Sequence, residues 1–342
     1  MANYGDTNEF FRSDGKGGFT PWRARCKPSA GLLFEAGHAP CNLDPVRGVL
    51  TGACWCDQWA GVHTKAVALY DMNGDGTMDV VFGNSRAHTI ILLNNLPSDK
   101  ACKAATTSYH DFESCSDFTV VALPFKPDST TTSLVVADVT DDGLPDVYVG
   151  ADGSPNSLFV QVKSCPSETA CFGATYVSCA CYNTGAICFM WLQPSPNDTS
   201  HTMAVVAADV TGDGLVDLLN GNLRENVLFA QKIPQYTAVM YKMCISFTAA
   251  TPRASAALGG AKDAATTSLL FEDLDGDGRR DIYVGNDLSA NVLLLNKGRG
   301  AFEAAARFPV EDPVWGAVTR APGCIKEFRG ATVAEVSDSD VL

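Results

Sequence analysis

Four short segments place oxygen-bearing side chains at alternate positions around a glycine, on the template Asp-x-(Asn/Asp/Thr)-x-Asp-Gly-x-x-Asp, over 71–79, 138–146, 209–217 and 273–281. Carboxylates this close repel one another unless a cation lies among them, so each segment is expected to hold a divalent ion. In the first loop Asp71, Asn73 and Asp75 supply positions one, three and five, the Thr77 carbonyl position seven and Asp79 position nine. The same register names Asp138, Thr140, Asp142, the Leu144 carbonyl and Asp146 in the second loop. It names Asp209, Thr211, Asp213, the Leu215 carbonyl and Asp217 in the third, and Asp273, Asp275, Asp277, the Arg279 carbonyl and Asp281 in the fourth. Glycine at position six permits the sharp turn that folds these oxygens inward. Oxygen-only ligation in an irregular loop favours calcium over magnesium, which keeps its waters, so about four calcium sites are expected. A threonine hydroxyl is a poorer ligand than a carboxylate, so the fourth loop is expected to bind most tightly and the second and third least. The alternative is a set of hairpin turns whose aspartates only cap backbone amides; four copies in register weigh against it.

These loops need elements to hold them, and the flanking sequence supplies the same ones each time. A short β-rich run precedes each loop, at 66–70, 134–137, 204–208 and 269–272. A second run, closed by glycine, follows at 80–83, 147–150, 218–221 and 282–285, and a third at 90–93, 158–160, 227–229 and 292–295. All are too short and too β-branched for helices. Each unit is therefore an antiparallel meander with the cation loop in its first hairpin, and a more variable fourth strand, such as 118–123, in the spacer. First aspartates are 67, 71 and 64 residues apart, a repeat architecture with insertions. A four-stranded sheet cannot bury both faces alone, and radial stacking is the usual answer, so an all-β propeller is expected. A β-solenoid or sandwich of such hairpins is the rival; solenoid turns repeat at roughly 20–30 residues, a shorter period than this one.

The segment 273–286, with Asn291-Val-Leu-Leu-Leu-Asn296 and Gly298-Arg-Gly-Ala-Phe302, resembles the FG-GAP/VCBS repeat of integrin α-subunit propellers, cartilage acidic protein and its bacterial relatives. That resemblance implies a propeller with cation-binding hairpins. It leaves activity open, because the family spans adhesion receptors, matrix proteins and propellers appended to enzymes. Rings in that family usually hold more blades than this chain supplies. The segment 8–19 superposes without gaps on 291–302, so the chain begins inside a blade at its third strand. It also stops inside one, since 331–336 resembles the strand before a loop and 337–340 the opening of a loop. The expected layout is one propeller over 1–342: a partial blade and cysteine-containing spacer over 1–62, repeats over 63–130, 131–200, 201–264 and 265–329, and the start of another over 330–342. Either the chain is a piece of a longer propeller, or it closes as a ring through an incomplete fifth blade. An unpaired strand at either edge would invite association.

Composition bounds the function. The formal net charge is −14, and thirteen aspartates sit at ligand positions, so four bound divalent ions would bring it to about −6. Basic stretches are absent, which argues against nucleic acid. No apolar run approaches the roughly 20 residues that cross a bilayer, and the first residues lack a signal peptide's basic and apolar regions. Thirteen cysteines avoid the repeated strands and cluster in spacers, which reads as disulfides on surface insertions of an extracellular protein or ectodomain. Cys102 with Cys115 is the favoured pairing. Zinc is the rival at Cys54-Trp-Cys56 and Cys179-Ala-Cys181, but the C-x-C spacing fits it poorly. One sequon, Asn197-Asp198-Thr199, suits a glycan.

Catalytic signatures are weak. No Gly-x-Ser-x-Gly, His-Glu-x-x-His or phosphate-loop motif is present. Of the five histidines only His63 and His201 hold equivalent repeat positions, which suits a structural role beside the first strand. Trp22, Trp55, Trp59, Trp191 and Trp315 lie in spacers, as anchors for a partner or as core. The expectation is a non-enzymatic, calcium-stabilised adhesion or matrix module with a protein or glycan ligand. The alternative is the propeller of a secreted carbohydrate-active lyase or hydrolase.

Overall fold

The computed structural model describes residues 9–22, 24, 26–28, 43–44, 49–50, 63–95, 117–123, 130–165, 176–182, 187–194, 200–232, 245–249, 258, 265–287, 289–298 and 301–308. Among these residues every regular element is a strand. They build four antiparallel blades of a β-propeller, with first strands Thr64–Tyr70, Thr130–Ala137, Thr202–Ala208 and Ala265–Glu272. Second strands are Asp79–Asn84, Asp146–Asp152, Asp217–Asn222 and Asp281–Asp287, and third strands Ile90–Asn94, Ser157–Val162, Val227–Lys232 and Asn291–Asn296. We call the blades I to IV in chain order.

The fourth strands are Phe118–Ala122, Ile187–Leu192, Ser246–Ala249 and Phe302–Phe308. Blade II carries a further strand, Tyr176–Tyr182, outside its fourth, so the chain runs to the outer edge and then folds back inward. Two disulfides pin that excursion, Cys165–Cys179 and Cys181–Cys188. They exclude zinc at Cys179 and Cys181 by consuming both thiols. Cys26 is also disulfide-bonded, in the strand Cys26–Pro28 that adds in parallel to the edge of blade I. Cys54, Cys56, Cys102, Cys115, the sequon and the 331–340 segment lie outside the described residues.

The core lies between blades, because each strand points alternate side chains to its two neighbours. Val81, Ile91 and Leu93 of blade I meet Val147, Phe159 and Phe189 of blade II. Tyr148, Leu158 and Met190 of blade II meet Val205, Leu218 and Phe229 of blade III. Val210, Leu219 and Leu228 of blade III meet Phe271, Ile282 and Leu294 of blade IV. In blades I to III a glycine near the end of the second strand packs closely on the next blade. A Cβ on Gly83 would stand 2.8 Å from Thr131 and Leu134 of the next blade, and one on Gly221 would stand 2.6 Å from Thr266.

Each first strand has a bulge just after a threonine, at Thr64, Thr131, Thr202 and Thr266, always seven residues before the loop's first aspartate. In blades I, III and IV that threonine hydroxyl donates to the asparagine after the closing glycine: Thr64 to Asn84 at 2.6 Å, Thr202 to Asn222 at 2.9 Å, Thr266 to Asn286 at 2.8 Å. The asparagine amide then donates to a carbonyl of the next turn, His88, Glu225 or Ala290. Bulge and turn are thereby locked together, which fixes the strand register that aims the loop.

At the N-terminal side, the hairpin Phe11–Ser13 with Phe19–Pro21 rests on blade I through Phe10 and Trp22, which pack on Phe82 and Phe118. On the inner part of blade I, Val67 and Leu69 remain 51 % and 64 % exposed. No helix among the described residues is long and apolar enough to cross a membrane.

Candidate metal centres in the blade loops

All four loops bridge the first and second strands of their blades, and their carboxylates do the same structural work in each. The position-one aspartate is a backbone acceptor. Oδ1 of Asp71 takes the amides of Gly74 and Asp75 at 2.8 and 3.1 Å, and Oδ2 that of Gly76 at 2.8 Å. Asp209 and Asp273 repeat all three bonds, and Asp138 two of them. Oδ1 of the position-five aspartates Asp75, Asp142, Asp213 and Asp277 accepts from the amide two residues on, at 2.8–3.0 Å.

Position nine is the clamp. Asp79, Asp146, Asp217 and Asp281 are fully buried. One carboxylate oxygen of each accepts from the position-two amide, of Met72, Val139, Val210 or Leu274, at 2.8–3.0 Å. The other accepts from the third strand, from the amides of Asn94, Gln161, Gln231 and Asn296, at 2.7–2.9 Å. Loop and blade are thus tied through one carboxylate. Burial pushes the Asp79 carboxyl up to about 6, with the neighbouring Asp75 and Asp71 charges adding to it against the two amide bonds. Burial drives Asp146 well above the carboxylate range and raises Asp217 too. Asp75 goes the other way, lowered first by the Thr77 hydroxyl.

Backbone conformation explains the glycines. Position six is left-handed throughout, with φ of 86°, 85°, 88° and 86° at Gly76, Gly143, Gly214 and Gly278. Position four is left-handed as well, at Gly74, Gly212 and Gly276, and in loop II the non-glycine Asp141 adopts it with φ 54°. The template had left that position unassigned, although three of its four residues are glycine.

The donor chemistry fits a hard divalent cation such as calcium. In loop IV, carboxylate oxygens of Asp273, Asp275 and Asp281 lie within 4.8 Å of one another. In loop II the Thr140 hydroxyl, at the expected third ligand position, is buried with no hydrogen-bond partner. A buried polar atom without a partner is costly, and a cation among these oxygens would give it one. At position three of the other loops, Asn73 and Asp275 also accept from Asp75 N and Asp277 N, and the Thr211 amide donates to Asp217. Asn94 and Asn296, which sequence reading did not single out, close loops I and IV from the third strand by donating to the Met78 and Arg280 carbonyls.

Trp55, Trp59 and Trp315 lie outside the described residues; His63, His201, Trp22 and Trp191 have structural contacts. The His63 and His201 carbonyls accept equivalent bonds from Ser85 N and Leu223 N at 2.9 Å, and the His201 ring pairs with Asp152. Trp191 lies in the fourth strand of blade II, 9 % exposed, stacked on Phe159 and bonded to Ser157; Trp22 is partly buried on Phe10 and Phe118. Of the two readings of these tryptophans, partner anchor or core, the second holds at these two positions, where the cores between and beside the blades claim the rings.

Residues 273–321 match the sequence profile of the FG-GAP-like repeat. No curated protein matches the chain.

Proposed function

We propose that this chain, which over residues 273–321 matches the FG-GAP-like repeat, is a calcium-binding extracellular module that presents a propeller to a protein or glycan ligand in adhesion or matrix. The ligands would be those named for the four loops, with the ions supplying counter-charge to the carboxylates, which in loop IV already converge. The observation that carries this reading is the Thr140 hydroxyl, buried without a partner inside the most fully enclosed of the carboxylate loops. Supporting it is the burial of every position-nine carboxylate, whose charge is offset in each blade by backbone amide donors. The disulfides of blade II agree with an oxidising compartment. Extracellular calcium modules bind at roughly 10⁻⁴–10⁻³ M, so the sites would be filled outside cells.

Calorimetric titration of the purified chain with calcium tests the reading. Heats saturating in the millimolar range, abolished by Asp146→Asn for one site, are the expected result. No heat and no change in melting on adding calcium would refute it. Degradation of a polysaccharide by the purified chain would favour a carbohydrate-active propeller instead.

A further inference from the structure

Loop IV has carboxylates at positions one, three, five and nine, the largest ligand charge of the four, yet it alone has a basic residue at position seven, Arg279. Thr77, Leu144 and Leu215 stand there in the others. Arg279 is held at two points: Nε donates to the Asn296 carbonyl at 2.8 Å, and Nη2 pairs with Oδ2 of Asp277. Oδ1 of Asp277 accepts the Arg279 amide at 2.9 Å. Both oxygens of the position-five carboxylate are therefore engaged by one residue. The equivalent Asp142 and Asp213 take only a backbone amide, from Leu144 and Leu215.

We infer that Arg279 is a tethered cation that competes with a divalent ion for Asp277, turning the most acidic loop into a weakened, readily exchanged site. The inference rests on the calcium reading of the loops. Charge count alone would make loop IV the tightest; the guanidinium cancels one of its four negative charges and covers an oxygen that an ion must share. Its anchor on Asn296, at the end of the third strand, keeps it in place where a free side chain would drift away. The pair is part-exposed, 47 % and 27 % for the two side chains. Pairs of that kind shift equilibria modestly, by roughly two- to fivefold, and less as salt rises.

Calcium titrations of the full chain with Arg279→Leu and Arg279→Lys test it. The leucine variant should bind one calcium roughly two- to fivefold more tightly, with the gain shrinking at high salt. The lysine variant, which keeps the charge and loses the Nε bond, should fall between. A second readout is melting: in chelator the leucine variant should melt below wild type, its carboxylates having lost their counter-charge, and calcium should close that gap. Unchanged or weaker calcium binding in the leucine variant, with wild type binding normally, would overturn the role of Arg279. A wild-type chain that takes up no calcium would overturn the parent reading along with it, so the two failures are told apart.

Discussion

Asp146 and Asp141 sit five residues apart in one loop and call for opposite predictions. Asp146 is buried and accepts the amides of Val139 and Gln161 at 2.8 Å each and that of Thr140 at 3.2 Å. Alanine there strands three buried donors, and urea unfolding should register a loss of about 2–4 kcal/mol. Asparagine keeps one acceptor and should cost less stability, while still removing one calcium equivalent. Asp141, by contrast, holds φ 54° without being glycine. Asp141→Gly relieves left-handed strain and should raise stability by about 0.5–1 kcal/mol in the same assay. The loop aspartates were legible in the sequence because they recur at one spacing in all four blades. The position-four requirement was half-hidden, since loop II breaks the glycine pattern at that residue. The Thr64–Asn84 lock and its copies recur at fixed distances too, but a threonine seven residues before an aspartate announces no chemistry until a bulge brings it to its asparagine.

At the level of the blade, the antiparallel meander was readable from run length and turn residues, and its first three strands lie where those runs do. The fold-back in blade II was not. Its fourth and fifth strands come from a cysteine-rich spacer, and their order depends on long-range pairing that local pattern does not encode. Cys165–Cys179 closes a 14-residue separation across that fold-back. Replacing both by alanine should lower stability by roughly 2–3 kcal/mol, seen in denaturant titration, and should leave calcium heats intact because neither cysteine is among the ligands named for the loops. Asn220 also escaped the pattern. It interrupts an apolar run and is fully buried because Tyr148, 72 residues earlier, donates its hydroxyl to it at 2.8 Å from the neighbouring blade.

The whole molecule responds to pH through its buried carboxylates. Asp79 is raised from 3.8 to about 6 by burial, so the folded state holds its proton more firmly than the unfolded chain does. Its stabilising contribution is complete below the ordinary value and lost as pH rises through about 6. Asp146 and Asp217 shift in the same direction. In chelator, melting temperature should therefore fall between about pH 4 and pH 7. Saturating calcium should flatten or invert that slope, since an ion favours the ionised form and competes with protons. Scanning calorimetry with and without calcium checks both. The propeller itself was foreseeable from repeated sheets with two apolar faces, whereas the placement of the N-terminal hairpin on blade I depends on the aromatic contacts of Phe10.

The joints between blades are interchangeable parts. Gly83 seats Thr131 with Leu134, Gly150 seats Thr202 with Val205, and Gly221 seats Thr266 with Leu269. Each socket accepts the same threonine and a branched aliphatic three residues on, whatever the spacer does. Excising 131–201 would bring Thr202 and Val205 to the socket at Gly83, a plug that differs from the native one by a single methylene. Such a coupling lets gene duplication or loss lengthen or shorten the array without any joint having to be reinvented.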